Sequence, residues 1–515
     1  MEFAVVRPLV FFCLLLLAIT SARPALAQTE TEDGASGDRF ADTLDELQRR
    51  MAALETRNAK LEAELALQSG AESLIEKNAS SKAVDDSPDS FEALLKSSQE
   101  SDERLSKIEE RLKKEADAAK KKKEEDAKKG KKWFEKYTIR GYAQFRVNDV
   151  MDNDGPAKAQ AVGDSSIGDN QSFLIRRARL VFSGDVSDHL SLYFQPDFAV
   201  APPGSPDANQ FAQIRDLYAD ISLDDEKEFR FRIGQSKVPY GWENLQSSSN
   251  RLPLDRSDSL NSAVRNERDL GIFAYWTPTE VQDTFKYIMD EGLKGSGNYG
   301  MVGFGVCNGQ GGSLREQNDD LHAFARIAYP FWLNDSQIVE VGFQGYTGQY
   351  TVLTSPISPI GVGAPVAPTS NANGITDERL AWTFVYYPQP IGFQSEWTVG
   401  RGPSLNEAQT EIGDAALYGG YAMAMYRQKL EKGELIPFAR WNYYQGGYKT
   451  ERNAPNSQIE EWEFGTEWQF SKSLEFVAMY TITDRTNTQA IGTANTQSYE
   501  QFEGQLLRFQ VQVNY

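Results

Sequence analysis

Leu507-Arg508-Phe509-Gln510-Val511-Gln512-Val513-Asn514-Tyr515 decides the fold class. Apolar side chains fill the odd positions and polar ones the even positions. Successive side chains of a strand point to opposite faces, so this stretch forms a ribbon with one apolar and one polar side. Its terminal Tyr515 reads as a barrel-assembly signal, although Phe is the commoner ending. The same period of two recurs upstream. Trp462, Phe464, Thr466, Trp468 and Phe470 alternate with Glu461, Glu463, Gly465, Glu467 and Gln469. Phe229, Phe231 and Ile233 alternate with Arg230 and Arg232, and Leu217, Ala219, Ile221 and Leu223 with Asp216, Tyr218, Asp220 and Ser222. Leu190, Leu192 and Phe194 follow suit, as do Tyr137, Ile139, Gly141, Ala143, Phe145 and Val147.

A β-sandwich also alternates, but its inward face is a dry core. Here the polar face carries carboxylates and guanidiniums on several strands, and the apolar face carries aromatics near strand ends. That combination suits a wet lumen inside a lipid-facing band. The expected fold is all-β, a 16-stranded transmembrane antiparallel β-barrel over residues 133–515. The links support this count. Short ones (Gly184–Asp188, Asp224–Glu228, Pro330–Asp335, Pro388–Pro390, Gln428–Gly433, Ser471–Ser473) alternate with long ones (149–171, 198–212, 236–267, 348–378, 402–416, 446–456, 485–501). Short periplasmic turns and long outer loops follow the rule for such barrels. Residues 277–298 break it, being long where a short turn is due. Two readings fit there, an extra strand piece over Phe285–Met289 or a turn that folds back.

Ahead of the barrel the chain is charged and helix-forming. Arg7, the apolar run Leu9–Ile19 and Ala25-Leu26-Ala27 read as a cleaved signal peptide over residues 1–27. The apolar run is shorter than the roughly 20 residues of a spanning helix. In 28–68, Leu44, Leu47, Met51, Leu54, Asn58, Leu61 and Leu65 are spaced 3-4-3-4-3-4, an a/d seam that predicts an N-terminal α-helical coiled coil. Asn58 on an a position suits a fixed register and partner number. Residues 69–132 read as a flexible, then Lys-rich charged helical spacer, solvated or in contact with anionic lipid or the cell wall. The chain has 515 residues and a formal charge of −20, which argues against a nucleic-acid partner. Of its two cysteines only Cys307 lies beyond the signal, so no disulfide staples the barrel.

Enzymatic chemistry finds no foothold. His189 and His322 are the only histidines, and neither has metal-ligand spacing. No nucleophile elbow, Walker loop or dinucleotide fingerprint follows a strand. No catalytic residue, metal or cofactor is expected. What stands out is a set of cations at lumen-facing positions of the first five strands: Arg140 and Arg146, Arg177 and Arg179, Arg230 and Arg232, with Lys237 just beyond and Arg215 at the start of the fourth strand. Guanidinium forks suit phosphate and carboxylate oxygens, and rings of Arg or Lys favour anions in a pore. Asp197, Asp216 and Asp220 are candidate partners for the same arginines. With Glu396, Glu461, Glu463 and Glu467 also inward, a wall basic on one side and acidic on the other fits equally well. The long link 238–266 holds Tyr240, Trp242 and Arg251 and is expected to fold inward as a constriction, an exposed loop being the alternative.

The stretch Ile175-Arg-Arg-Ala-Arg-Leu-Val-Phe-Ser-Gly184, followed by Leu192-Tyr-Phe-Gln-Pro-Asp197, resembles the phosphate-selective porins O and P. Arg215-Asp-Leu-Tyr218, Phe231-Arg-Ile-Gly-Gln-Ser-Lys-Val-Pro-Tyr-Gly241, Glu267-Arg-Asp-Leu-Gly271 and Val306-Cys-Asn-Gly309 continue the resemblance, which covers roughly residues 137–515. It implies a trimeric sixteen-stranded outer-membrane porin, narrowed by an inward loop, with an arginine ladder and a lysine cluster. The arginines named above match the ladder. The lysine cluster is reduced to Lys237. The expectation is passive diffusion of small hydrophilic solutes, anions such as phosphate among them, through a homotrimer in contact with outer-membrane lipid. The N-terminal arm is expected in the periplasm, with the cell wall as a further partner. The alternatives are a general non-selective porin and a structural tether between outer membrane and cell wall.

Overall fold

The computed structural model describes residues 133–154, 167, 172–200, 211–264, 268–312, 314–334, 336–359, 364–487 and 500–515. The expected signal peptide, coiled coil and spacer lie outside them. A 3-10 turn, Trp133–Lys136, leads into the sheet.

Sixteen strands follow in chain order: β1 (Tyr137–Asp154), β2 (Ser172–Ser187), β3 (Leu190–Val200), β4 (Phe211–Ser222), β5 (Phe229–Lys237), β6 (Arg268–Trp276), β7 (Val302–Cys307) and β8 (His322–Asn334). Then come β9 (Gln337–Tyr350), β10 (Ile375–Tyr386), β11 (Ile391–Leu405), β12 (Ile412–Tyr426, resuming at Gln428–Lys429), β13 (Glu434–Gly447), β14 (Asn456–Ser471), β15 (Leu474–Asn487) and β16 (Glu500–Asn514). Each strand pairs antiparallel with the next, and β1 also pairs with β16, with Phe145 opposite Val511. Closure leaves no edge strand, the condition for placing a sheet in lipid. At the seam the Gly141 amide donates to the Tyr515 carbonyl at 2.7 Å, and Tyr515 N donates back to the Gly141 carbonyl at 3.0 Å. A Cβ at residue 141 would fall 2.6 Å from the Tyr515 ring, so only glycine fits under it.

The alternation read in 507–515 sorts as expected. Phe509, Val513 and Tyr515 are on the outside, while Arg508, Gln510 and Gln512 are buried inside. The outer face is apolar around the barrel, with Phe145, Ile221, Ile272, Phe343, Trp382 and Ile482 among its exposed side chains. Ile272 sits at the middle of β6. Ile272→Arg is expected to cost about 2–4 kcal/mol, the usual penalty for a cation at the bilayer midplane. A lower urea midpoint for protein refolded in liposomes checks this. An unchanged midpoint would place β6 away from lipid.

Among the described residues two segments fill the interior. The first is the link after β5, which carries α1 (Trp242–Leu245) and α2 (Asp258–Asn261). The second is the long link between β6 and β7. Of its two expected readings, the strand piece over Phe285–Met289 is corrected: the segment forms α3 (Thr279–Asp290). Val281, Phe285 and Ile288 lie on one helical face and pack with Leu293, Ile338, Val385, Tyr387 and Trp242 of the first link. The apolar inner wall at this end gives an amphipathic helix something to bury against, which a wholly wet lumen does not. Beyond α3 the chain crosses the interior as residues 291–301, then enters β7.

Candidate functional site

The link 238–264 lies inside the barrel, held by side chains from many strands. Lys237 Nζ donates to the carbonyls of Leu245 at 3.1 Å and Gln246 at 2.7 Å, turning the chain inward as β5 ends. The Tyr240 hydroxyl bonds Thr398, and the Trp242 amide donates to Glu396, both on β11. Glu243 accepts from Arg440 Nη1 at 2.8 Å, and Arg440 also pairs with Glu463. Farther along, Ser248 bonds the Tyr142 hydroxyl at 2.7 Å and accepts from Arg179 Nη1 at 3.0 Å. Asp255 is met by three guanidiniums, Arg508 at 2.6 Å, Arg146 at 3.5 Å and Arg176 at 3.9 Å. Asp258 pairs with Arg485 at 2.9 Å and takes the Tyr448 hydroxyl. Burial pushes the Asp258 carboxyl above its ordinary range against the pull of Arg485. Arg379 holds Ser262 through its hydroxyl at 2.8 Å and its carbonyl at 2.9 Å. Charge-assisted bonds of this kind are the stronger class.

The arginines of the first five strands divide by their partners. Arg179 pairs with Asp197 at 2.8 Å, and Arg232 makes two bonds of 2.8 Å to Asp220. The alternative that carboxylates neutralise some of them therefore applies to these two. Arg146 reaches Gln510 and the Leu254 carbonyl as well as Asp255. Arg230 donates to Asn298 and lies over the Tyr275 ring. Arg140 is exposed near the start of β1, within 3.4 Å of the Ser183 hydroxyl. Arg215 is half-buried on β4. Arg177 bonds only Gln144 Oε1, at 2.7 Å, and has no carboxylate partner among the described residues. The charges of Arg146, Arg176 and Arg179 all act on it. Arg251, in the interior link, is buried and has neither hydrogen bond nor ion pair among the described residues.

Other interior cations were hidden or underweighted in the sequence. A bulge between Gln144/Arg177 and Phe145/Ile175 shifts the register of β2. It keeps Phe173 and Ile175 outside and brings Arg176 to Asp255. Arg440, Arg485 and Arg508 occupy inward parity on the later strands, and Arg268 pairs with Asp216 at 2.9 Å. The later strands are thus not simply acidic, because Glu461 and Glu463 each have an arginine partner. Mixed, paired charge covers one wall. Clustered cations cover the wall of β1 and β2, where Arg146 and Arg176 meet Asp255 and Arg179 meets Asp197.

The sequence profile of the family described as phosphate-selective porin O and P matches residues 157–515. No curated protein matches the chain. Among solved structures, OmpT of Vibrio cholerae, in vitro folded and in trimer form, is 10% identical with a TM-score of 0.43, covering 74% of this chain and 99% of that one. The outer membrane channel DcaP of Acinetobacter baumannii is 12% identical with a TM-score of 0.44, covering 74% and 97%. An anion-selective porin from Comamonas acidovorans is 12% identical with a TM-score of 0.42, covering 74% and 99%. The profile spans well over half of the chain and covers β2 to β16 of the closed sixteen-stranded barrel. The chain belongs to the phosphate-selective porin O and P family.

Proposed function

We propose that this outer-membrane porin is a passive pore for small hydrophilic anions, phosphate-like oxyanions among them. One observation carries the reading: among the described residues Arg177 and Arg251 are interior guanidiniums without carboxylate partners, in a barrel whose other buried arginines are mostly paired. Residues 238–266 narrow the lumen. Arg177, with Arg146, Arg176 and Arg179 around it, replaces part of an anion's hydration shell, and mobile water on the open side lets the anion leave. Tyr240 and Trp242 anchor the constriction, and Lys237 sets its entry. The protein works as a homotrimer, with residues 28–68 as a periplasmic coiled coil joined to the barrel by the spacer 69–132.

Reversal potential in a planar bilayer under a salt gradient tests this. An anion-preferring sign is expected, with phosphate and sulfate currents exceeding that of a cation of similar size. A cation-preferring pore overturns it. Deleting residues 28–132 is expected to leave conductance intact and to weaken the trimer. If trimer and conductance both survive while attachment of the envelope fails, the arm is a tether to the cell wall instead.

A further inference from the structure

The segment 291–301 is a strap across the barrel, beneath the link 238–264. On one wall Arg230 and Thr277 hold Asn298, the latter at 2.9 Å, and Arg326 Nη1 donates to the carbonyls of Tyr299 at 2.8 Å and Gly300 at 3.1 Å. On the opposite wall Lys294 Nζ meets Glu467 of β14 at 2.5 Å. From above, Gln246 donates to the Lys294 carbonyl at 2.6 Å and Asn250 to that of Gly295 at 2.9 Å.

The strap faces a column of side chains near the periplasmic ends of β1, β3, β4 and β5. Tyr193 and Tyr218 are cross-strand partners, stacked at 5.0 Å with 8° between their planes. Arg140 caps the stack at 5.9 Å from the Tyr193 ring, and Arg232 caps it at 3.8 Å from the Tyr218 ring. Arg232 also lies 5.3 Å from the ring of Tyr299, which belongs to the strap. With guanidiniums against the outer faces, the two stacked rings offer edges and hydroxyls, and not free faces, to a solute. The hydroxyls of Tyr193, Tyr218 and Tyr299 have no hydrogen bond among the described residues. Tyr193 stacks on Tyr218, and Arg232 lies against the rings of both Tyr218 and Tyr299, which gathers the three phenols at one place. Arg140 and Arg230 have no carboxylate partner among the described residues, and the carboxylates beside the column, Asp216 and Asp220, are taken by Arg268 and Arg232.

Resting on the anion-pore reading, we infer that Arg140, Tyr193, Tyr218, Tyr299 and Arg230 form a second oxyanion station, on the periplasmic side of the constriction and separate from Arg177. Its donors are neutral hydroxyls between two cations. It suits a tetrahedral oxyanion with several acceptor oxygens, such as phosphate or sulfate, more than chloride, which accepts in no fixed direction.

The test is block of the chloride current by inorganic phosphate, added to one chamber and then to the other. Tyr193→Phe/Tyr218→Phe keeps the stack and removes only the two hydroxyls. It is expected to raise the half-blocking phosphate concentration about tenfold from one side. Arg177→Gln is expected to raise it mainly from the other side. Heat-modifiable mobility on gels verifies that the variants fold, and Tyr218→Phe alone serves if the pair does not. An anion-preferring channel whose block is unchanged from both sides, or weakened equally from both, overturns the station alone. A wild-type channel without anion preference overturns the pore reading and the station together.

Discussion

Arg177→Glu is expected to abolish anion preference, shifting the anion-to-cation permeability ratio by tenfold or more. The side chain is almost fully enclosed, its one hydrogen bond among the described residues goes to the neutral Gln144, and three further guanidiniums surround it. An anion passing about 6 Å away gains roughly 1.4–2.8 kcal/mol from one such charge at an effective dielectric constant of about 20–40. Since about 1.4 kcal/mol is tenfold, removal alone (Arg177→Gln) gives about tenfold or more, reversal gives a larger shift, and Arg177→Lys is nearly silent on selectivity. Arg232→Gln is the contrasting case. It leaves Asp220 without its bidentate partner, so it acts mainly on stability. Bi-ionic reversal potentials measure all four. A ratio unmoved by Arg177→Glu would remove Arg177 from the conduction path.

Arg440→Ala should produce the largest loss of stability, roughly 3–5 kcal/mol. Its guanidinium bonds Glu243 of the interior link and Glu463 of the wall, and all three are buried. Removing it strands two carboxylates, one of them on the segment it fastens. The link is expected to detach from β13 and β14, so single-channel conductance rises while selectivity falls. Replacing the acids too, as Arg440→Ala/Glu243→Gln/Glu463→Gln, should recover most of the stability but not the narrow conductance. Urea titration in liposomes and single-channel recording separate the two effects. A loss of under about 1 kcal/mol would show that the pair does not anchor the link.

The wall was legible because its physics is local: lipid outside and polar side chains inside impose a period of two on each strand, as in Leu507–Tyr515. Where a bulge interrupts that period the reading slips. In β2, Phe173 and Ile175 demand one parity and Ala178 and Leu180 the other, and only a bulge admits both. Arg176 vanished into that conflict. The helix Thr279–Asp290 was missed by the two readings offered for 277–298: Val281, Phe285 and Ile288 do stand at helical spacing, but the partners that bury them, Ile338 and Val385, stand far along the chain. The interior cations were legible as residues and not as a site. Whether a guanidinium is neutralised depends on pairs such as Arg179 with Asp197 or Arg440 with Glu243, the latter 197 positions apart. No spacing rule connects such pairs.

The tie between Lys294 and Glu467 has a mechanical consequence. A hollow cylinder of hydrogen-bonded strands ovalises easily, because shear between neighbours meets little resistance. A strap fixed to β5 and β8 on one side and to β14 on the other acts as a spoke and resists flattening under lateral membrane pressure. Cutting it with Lys294→Met should leave the wall intact but soften it, seen as greater open-channel current noise and faster amide exchange in β14.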